Sequence, residues 1–341
     1  MTRRFLYILL CLLPLGLKAQ VAGLNTLSVL DMSSSARTAG LGLDYLPLYD
    51  DDITITLDNP SFIDSRFNNR MMINYVGMPA SAHFGAAAYG RHFDKVGDFI
   101  FSLRFNSFGK FEGYDENEIS TSSFHAADYV FSIGWGKHID SSFSIGINFK
   151  PVLSQYESYT AFAAAFDVCG SYVSSNKRFA ATLMGRNIGA QLATFSGTVE
   201  KIPFELSASL SYKLENAPFR VFLAATELQC WNLRYDDPLH PIVTYDPYEG
   251  AYTEETFIHE ATDKLFRHAV FGVELSIAKV LYARLGYNYR QSAETYGSEN
   301  INTSGFSYGF GIRKKKFDFA FARNNYYLGK APTYISISFR I

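Results

Sequence analysis

A two-residue alternation, sustained over long stretches, constrains this chain more than any other feature. In "FSIGINFK", Phe143, Ile145, Ile147 and Phe149 alternate with Ser144, Gly146, Asn148 and Lys150. Successive strand side chains point to opposite faces, so one face is apolar and the other polar. "FSYGFGIR" repeats the pattern, setting Phe306, Tyr308, Phe310 and Ile312 against Ser307, Gly309, Gly311 and Arg313. "ARLGYNYR" sets Ala283, Leu285, Tyr287 and Tyr289 against Arg284, Gly286, Asn288 and Arg290. The alternation predicts strands at 71–77, 82–92, 97–107, 124–137, 141–154, 159–173, 178–188, 203–213, 218–229, 266–277, 281–291, 304–313, 316–323 and 333–341. Most reach the roughly nine residues that cross a bilayer when tilted. Strands of soluble proteins usually run nearer five or six.

The connections alternate in length. Those around 92–96, 138–140, 174–177, 215–217, 278–280 and 313–316 are short. Those at 108–123, 189–202, 230–265, 292–303 and 324–332 are longer, while two of the same set, near Pro79 and Tyr156, are tight. Short turns at one end and long loops at the other are the plan of an outer-membrane barrel. The expected class is therefore all-β, a transmembrane antiparallel β-barrel of about 14 strands. Its polar face includes Arg104, Lys150, Glu274, Arg284, Asn288 and Arg290, which suits a wide, wet lumen. "TYISISFRI" would be the closing strand, similar to the terminal strand of bacterial barrels. A mean hydropathy of −0.03 is far too low for a helical membrane protein, although aromatics reach 16%. A net charge of −2 gives no general attraction to nucleic acid.

The amino terminus reads as an export signal. Arg3 and Arg4 precede an apolar run from Phe5 to Leu17, and Ala19 precedes a cleavage point at Gln20. The run is short of the ~20 residues of a transmembrane anchor. A signal peptide is expected over 1–19. Cys11 lies inside it, which leaves Cys169 and Cys230. These fall at opposite ends of the expected wall, whose apolar band is about 25 Å tall. A disulfide needs Cα atoms within about 7 Å, so no bond is expected.

Residues 20–70 lack the alternation. "DMSSSARTAGLG" reads as a short capped helix. "DDITITLDNP" is ambiguous: its β-branched residues suit a strand, its Asp start and Asn-Pro stop suit a helix or turn. "ARTAG", then "DD", then "NPS" ahead of fourteen strands resembles the FadL fatty-acid-transporter family. Within that superfamily the chain is similar to the PorQ outer-membrane proteins of the type IX secretion system. The similarity is carried by "VAGLNTLSVLDMSSSARTAGLG" (21–42), "DDDITITLDNPS" (50–61), "NYVGM" (74–78), "LMGRNIGAQL" (183–192), "APFRVFLAATELQCWNLRYDDP" (217–238) and "DKLFRHAVFGVEL" (263–275). It implies a luminal hatch over 20–70, with Asp51, Asp52, Asn59 and Pro60 among its residues, and a barrel over 71–341. Ser61 stands where the wider family has Ala, which bears on hatch gating. The PorQ resemblance implies a non-enzymatic component that docks a PorZ-like surface protein of the attachment complex, while cargo is attached to anionic lipopolysaccharide. The FadL resemblance implies an alternative, a channel for hydrophobic small molecules.

No nucleophile, zinc, phosphate-binding or cofactor motif occurs. His125 and Asp128 are three apart on a strand and face opposite ways, so they form no local dyad. The most distinctive polar stretch is the acidic loop 230–265. A loop of that length without structure of its own is usually functional or disordered. Its rigid aromatics suit protein contact. Trp231, Tyr235, Asp236, Asp237, Tyr245, Tyr248 and Tyr252 are the candidate partner-binding residues. A plain solvated loop and a calcium site are the competing readings; the calcium reading lacks EF-hand spacing.

Overall fold

The computed structural model describes residues 26–78, 82–117, 119–234, 243–246, 251–254, 257–294, 303–325 and 331–341. The expected signal peptide, 1–19, lies outside them. Fourteen of the described strands close into one antiparallel barrel. In chain order they are β1 (Arg70–Gly77), β2 (His83–Phe93), β3 (Gly97–Tyr114), β4 (Ser120–His138), β5 (Phe143–Tyr156), β6 (Tyr159–Val173) and β7 (Phe179–Ala193). There follow β8 (Glu205–Lys213), β9 (Phe219–Ala225), β12 (Ala269–Ile277), β13 (Leu281–Asn288), β14 (Phe306–Lys314), β15 (Phe317–Asn324) and β16 (Thr333–Arg340). Neighbours in the chain are neighbours in the ring, and β1 pairs with β16 to close it, Arg70 opposite Arg340 and Gly77 opposite Thr333. Closure leaves no edge strand within the ring.

The faces follow the alternation. Phe143, Ile145, Ile147 and Phe149 are 36–50% exposed, whereas Ser144, Asn148 and Lys150 are 2–3% exposed. A closed ring with its apolar row outward and its polar row buried presents a lipid-facing belt.

Three expectations are corrected. Strands β3 and β4 run well past residues 107 and 124, because pairing continues through two register shifts to Tyr114 opposite Ser120. Strand β13 ends at Asn288, and Tyr289–Glu294 forms a short helix, α3, where the alternation predicted strand to 291. The loop 230–265 is not structureless: it holds a two-stranded ribbon, β10 (Val243–Asp246) with β11 (Ala251–Glu254), and a helix, α2 (Phe257–Arg267).

Residues 26–69 lie inside the ring as short capped turns. Ser35 accepts a hydrogen bond from the Thr38 amide and starts helix α1 (Ala36–Ala39). Asp52 accepts from the Thr54 amide and starts a 3-10 turn, Ile53–Leu57; Pro60 opens the next, Pro60–Phe62. This cap helps explain why "ITIT" is not a strand: Asp52 satisfies both the amide and the hydroxyl of Thr54, and the amide is one that a strand would leave for pairing. The wall is shaped to admit this backbone. A Cβ on Gly146 would lie 2.2 Å from the Pro60 carbonyl carbon, one on Gly286 2.1 Å from that of Leu41, and one on Gly90 2.1 Å from the Phe67 oxygen. Only glycine allows such approach. The lumen is thus filled, not wide and wet. The polar wall residues that suggested water are instead buried against the luminal segment, as Arg104, Lys150, Glu274 and Arg284, each 2–4% exposed, show.

Candidate functional site

Two regions gather the chemistry, the seam between luminal segment and wall, and the long-loop end. At the seam, the guanidinium of Arg37 donates twice to Glu274, at 2.9 and 2.7 Å, and also to Asp50 at 2.8 Å and Asp52 at 3.2 Å. Arg284 donates to the same Glu274 at 2.7 Å. Arg313 reaches Asp50 at 2.6 Å and Asp52 at 3.2 Å. Arg313 also lies 3.3 Å from Asp318, which is 3.9 Å from Arg70, so four guanidinium groups meet four carboxylates and the cluster is neutral. A second tie is Arg104, which donates to Asp58 at 2.7 Å and the Leu57 carbonyl at 2.9 Å. Removing one partner from a buried ion pair strands the other charge and costs about 3–5 kcal/mol. Both ties join the wall to the luminal segment, so withdrawing the segment would strand several charges at once.

The Asn-Pro turn supplies a third tie, a closed ring of four hydrogen bonds. Asn59 Nδ2 donates to Leu46 O at 3.1 Å, which fixes the orientation of the amide, and to Thr182 Oγ1 at 3.2 Å. Ser61 Oγ donates to Asn59 Oδ1 at 2.7 Å. With its proton committed there, Ser61 accepts from Ser171 Oγ at 2.6 Å, and Ser171 accepts from Thr182 Oγ1 at 2.6 Å. Each hydroxyl donates once and accepts once, so the buried ring is fully satisfied. Ser61 closes it, which an alanine could not.

Of the predicted hatch residues, Asp52 lies in the charge cluster and Asn59 in the ring. Pro60 presses its carbonyl toward Gly136 and Gly146. Asp51 is apart from these, an exposed residue 3.5 Å from Arg66. Arg37 and Ser61 were the residues a reading of the alternation could not single out, since both lie in segments without period.

At the other end, Trp231 is 64% exposed and stacks on His268 at 5.6 Å between centroids. Tyr245 and Tyr252 are backbone register partners in the β10–β11 ribbon. Tyr235, Asp236, Asp237 and Tyr248 lie outside the described residues. The helix α2 adds Ile258, Leu265 and Phe266, all exposed. Their sequence signal was the helical spacing of "FIHEATDKLF". Asp263 anchors this helix: it accepts from Arg267 and Tyr289, both at 2.8 Å, and lies 3.4 Å from Arg234. Partial burial would push its carboxyl up, but these partners hold it below the usual carboxylate range. Among the described residues no three His, Cys, Asp or Glu side chains converge to hold a metal ion. No disulfide joins Cys169 to Cys230.

No protein-family model matches the chain, and no curated protein matches it. Among solved structures it is similar to the Pseudomonas putida toluene transporter TodX, at 12% identity over 94% of this chain and 98% of that one, with a TM-score of 0.46. A Pseudomonas aeruginosa FadL homologue gives 10% identity over 89% and 98%, with a TM-score of 0.44. The KdgM porin gives 7% over 80% and 99%, with a TM-score of 0.33. On its own geometry, with closed ring, outward apolar belt and short turns opposite long loops, the chain is an integral β-barrel of the outer-membrane type whose lumen is occupied.

Proposed function

We propose that this protein is a non-enzymatic outer-membrane component of the type IX secretion system that displays its long-loop end to a PorZ-like surface protein. The observation that supports this is the locked lumen. A transporter needs a path, and here the path is occupied by a segment tied through buried charges at Arg37 and Arg104 and a closed hydrogen-bond ring at Asn59. A cavity between that segment and β13–β16, lined by Asp52, Thr54, Arg284 and Ser336 among others, holds about 10 Å³, room for a single water. The barrel's work is then display. Its wall fixes the loops, and the exposed Trp231, Ile258, Leu265 and Phe266 offer the apolar anchors that dominate interface affinity.

One observation favours the second reading, a channel for hydrophobic small molecules. Leu27, Val29 and Leu30 fill an apolar chamber formed by Val76, Phe84, Val130 and Val152. Withdrawal of residues 27–30 would leave that chamber open. A deletion strain separates the two readings: docking predicts loss of surface attachment of type IX cargo with fatty-acid uptake unchanged. The reverse result would assign the protein to transport.

A further inference from the structure

The short-turn end carries a charge pattern that docking at the opposite end does not use. Lys213 and Arg220 are cross-strand partners on β8 and β9, both on the inward row, since their neighbours Tyr212 and Val221 face out. Like charges directly opposed in a sheet destabilise it. Among the described residues neither forms an ion pair with a carboxylate; Glu274 and Asp50 act on Arg220 only from beyond contact distance. Arg220 donates only to neutral oxygens, those of Arg178, Lys177 and Ser211, at 3.0–3.3 Å. Among the described residues Lys177, Lys213, Lys279, Lys314 and Lys315 also form no ion pair; Lys177 rests over the Tyr49 ring at 4.7 Å. The nearby acids are already engaged, Glu274 by Arg37 and Arg284, Asp50 by Arg37 and Arg313, and Glu215 by Arg178.

These cations line two adjoining hollows. One, of about 420 Å³, is lined by Lys177, Lys213, Arg220 and Lys279 together with Asp50, Glu215 and Glu274. The other, of about 570 Å³, is lined by Lys279, Lys314 and Lys315 together with Asp51 and Asp318. Asp51 lies 3.5 Å from Arg66 and Asp318 3.3 Å from Arg313, so the lysines remain in excess. Lys279 belongs to both. The arc runs from the turn between β6 and β7 to the turn between β14 and β15. At roughly 4.8 Å per strand that is six strand spacings, roughly 30 Å. A small ion could satisfy one hollow only. An extended chain at ~3.3 Å per residue would cover the arc with about nine residues. Bilayer lipid lies outside the wall, whereas the first hollow is bounded by inward-row side chains of β8 and β9.

We propose that this arc is a docking groove for an extended acidic peptide segment of a partner on the periplasmic side, the side that short turns face in outer-membrane barrels. Carboxylates along such a segment would supply the counter-charge that Lys213, Arg220 and Lys279 lack. Electrostatic complementarity of this kind governs association and its salt dependence.

The test uses the full chain in phosphatidylcholine nanodiscs and a fluorescent deca-glutamate peptide, read by anisotropy. Binding is expected at low salt, absent for a glycine–serine decapeptide, and weakened about tenfold or more by Lys213→Glu with Lys279→Glu. Lys95→Glu, on the same rim outside the arc, should leave it unchanged. These lysines are exposed, and heat-modifiable gel mobility confirms the folded barrel in each variant. Equal binding by wild type and the double variant, or no binding by either, overturns the groove. In a second set of nanodiscs that contain phosphatidylglycerol, an outcome in which the double substitution changes only enrichment of that lipid around the barrel, with peptide binding unchanged, also overturns the groove and assigns the arc to lipid.

Discussion

At the residue scale, adjacent positions on β5 have opposite duties. Ile147 faces lipid, and Ile147→Lys places a charge in the apolar belt at a cost of about 2–4 kcal/mol near the midplane. The folded, heat-modifiable species should be lost. Gly146 faces the Asn-Pro turn, and Gly146→Val should leave a folded ring but unseat the turn, seen as protease cleavage within residues 53–63. Equal behaviour of the two variants would contradict the face assignment. Ser61→Ala removes one member of the four-bond ring; it leaves the Ser171 hydroxyl without its acceptor and Asn59 Oδ1 with only the weak Cys169 thiol donor at 3.5 Å. A buried group left unpaired costs about 1–3 kcal/mol, so the unfolding temperature on gels should fall. An unchanged temperature would show that the ring contributes nothing. The outward row was legible because period two repeats for fourteen strands. The ring was not, because Asn59, Ser61, Ser171 and Thr182 meet only after closure.

At the scale of elements, the strands were readable and the long loop was not. Alternation locates a strand whatever lies beside it. It missed the extensions of β3 and β4, where polar residues pair beyond the apolar belt, and it ran on into α3, whose first residue, Tyr289, keeps the apolar phase. The helix α2 was hidden by its acids, which are used internally: Glu260 pairs with Lys264 and Asp263 with Arg267. Replacing residues 236–262 with a Gly/Ser linker should leave a folded barrel, since loop-closure entropy changes slowly with length. It should also release the surface partner, scored by co-purification. Partner retained on a folded variant would move the docking surface to the β3–β4 hairpin or the loop after α3. Deleting Phe339, Arg340 and Ile341 should abolish insertion, because Phe339 pairs with both Met71 and Phe317 where the ring closes. Normal folded levels would reject that role.

At the scale of the whole molecule, the sequence pointed to a wet lumen and the fold fills it. The error has a physical source. A polar inward row satisfied by water and one satisfied by a luminal segment have the same composition, and only the partners differ. Arg37, Asp50, Asp52 and Asp58 are those partners, from a stretch without period. The central claim is that this segment is a fixed part of the wall. Amide hydrogen exchange of the folded barrel in detergent tests it most directly, because exchange reports the free energy of local opening. The amides of Asp58 and Asn59, bonded to the Ile55 carbonyl, and of Ile63, bonded to that of Pro60, should be protected as long as those of β5 and β6. Exchange of residues 53–63 many-fold faster than the wall, and faster still with a fatty acid present, would contradict the claim and favour a moving hatch.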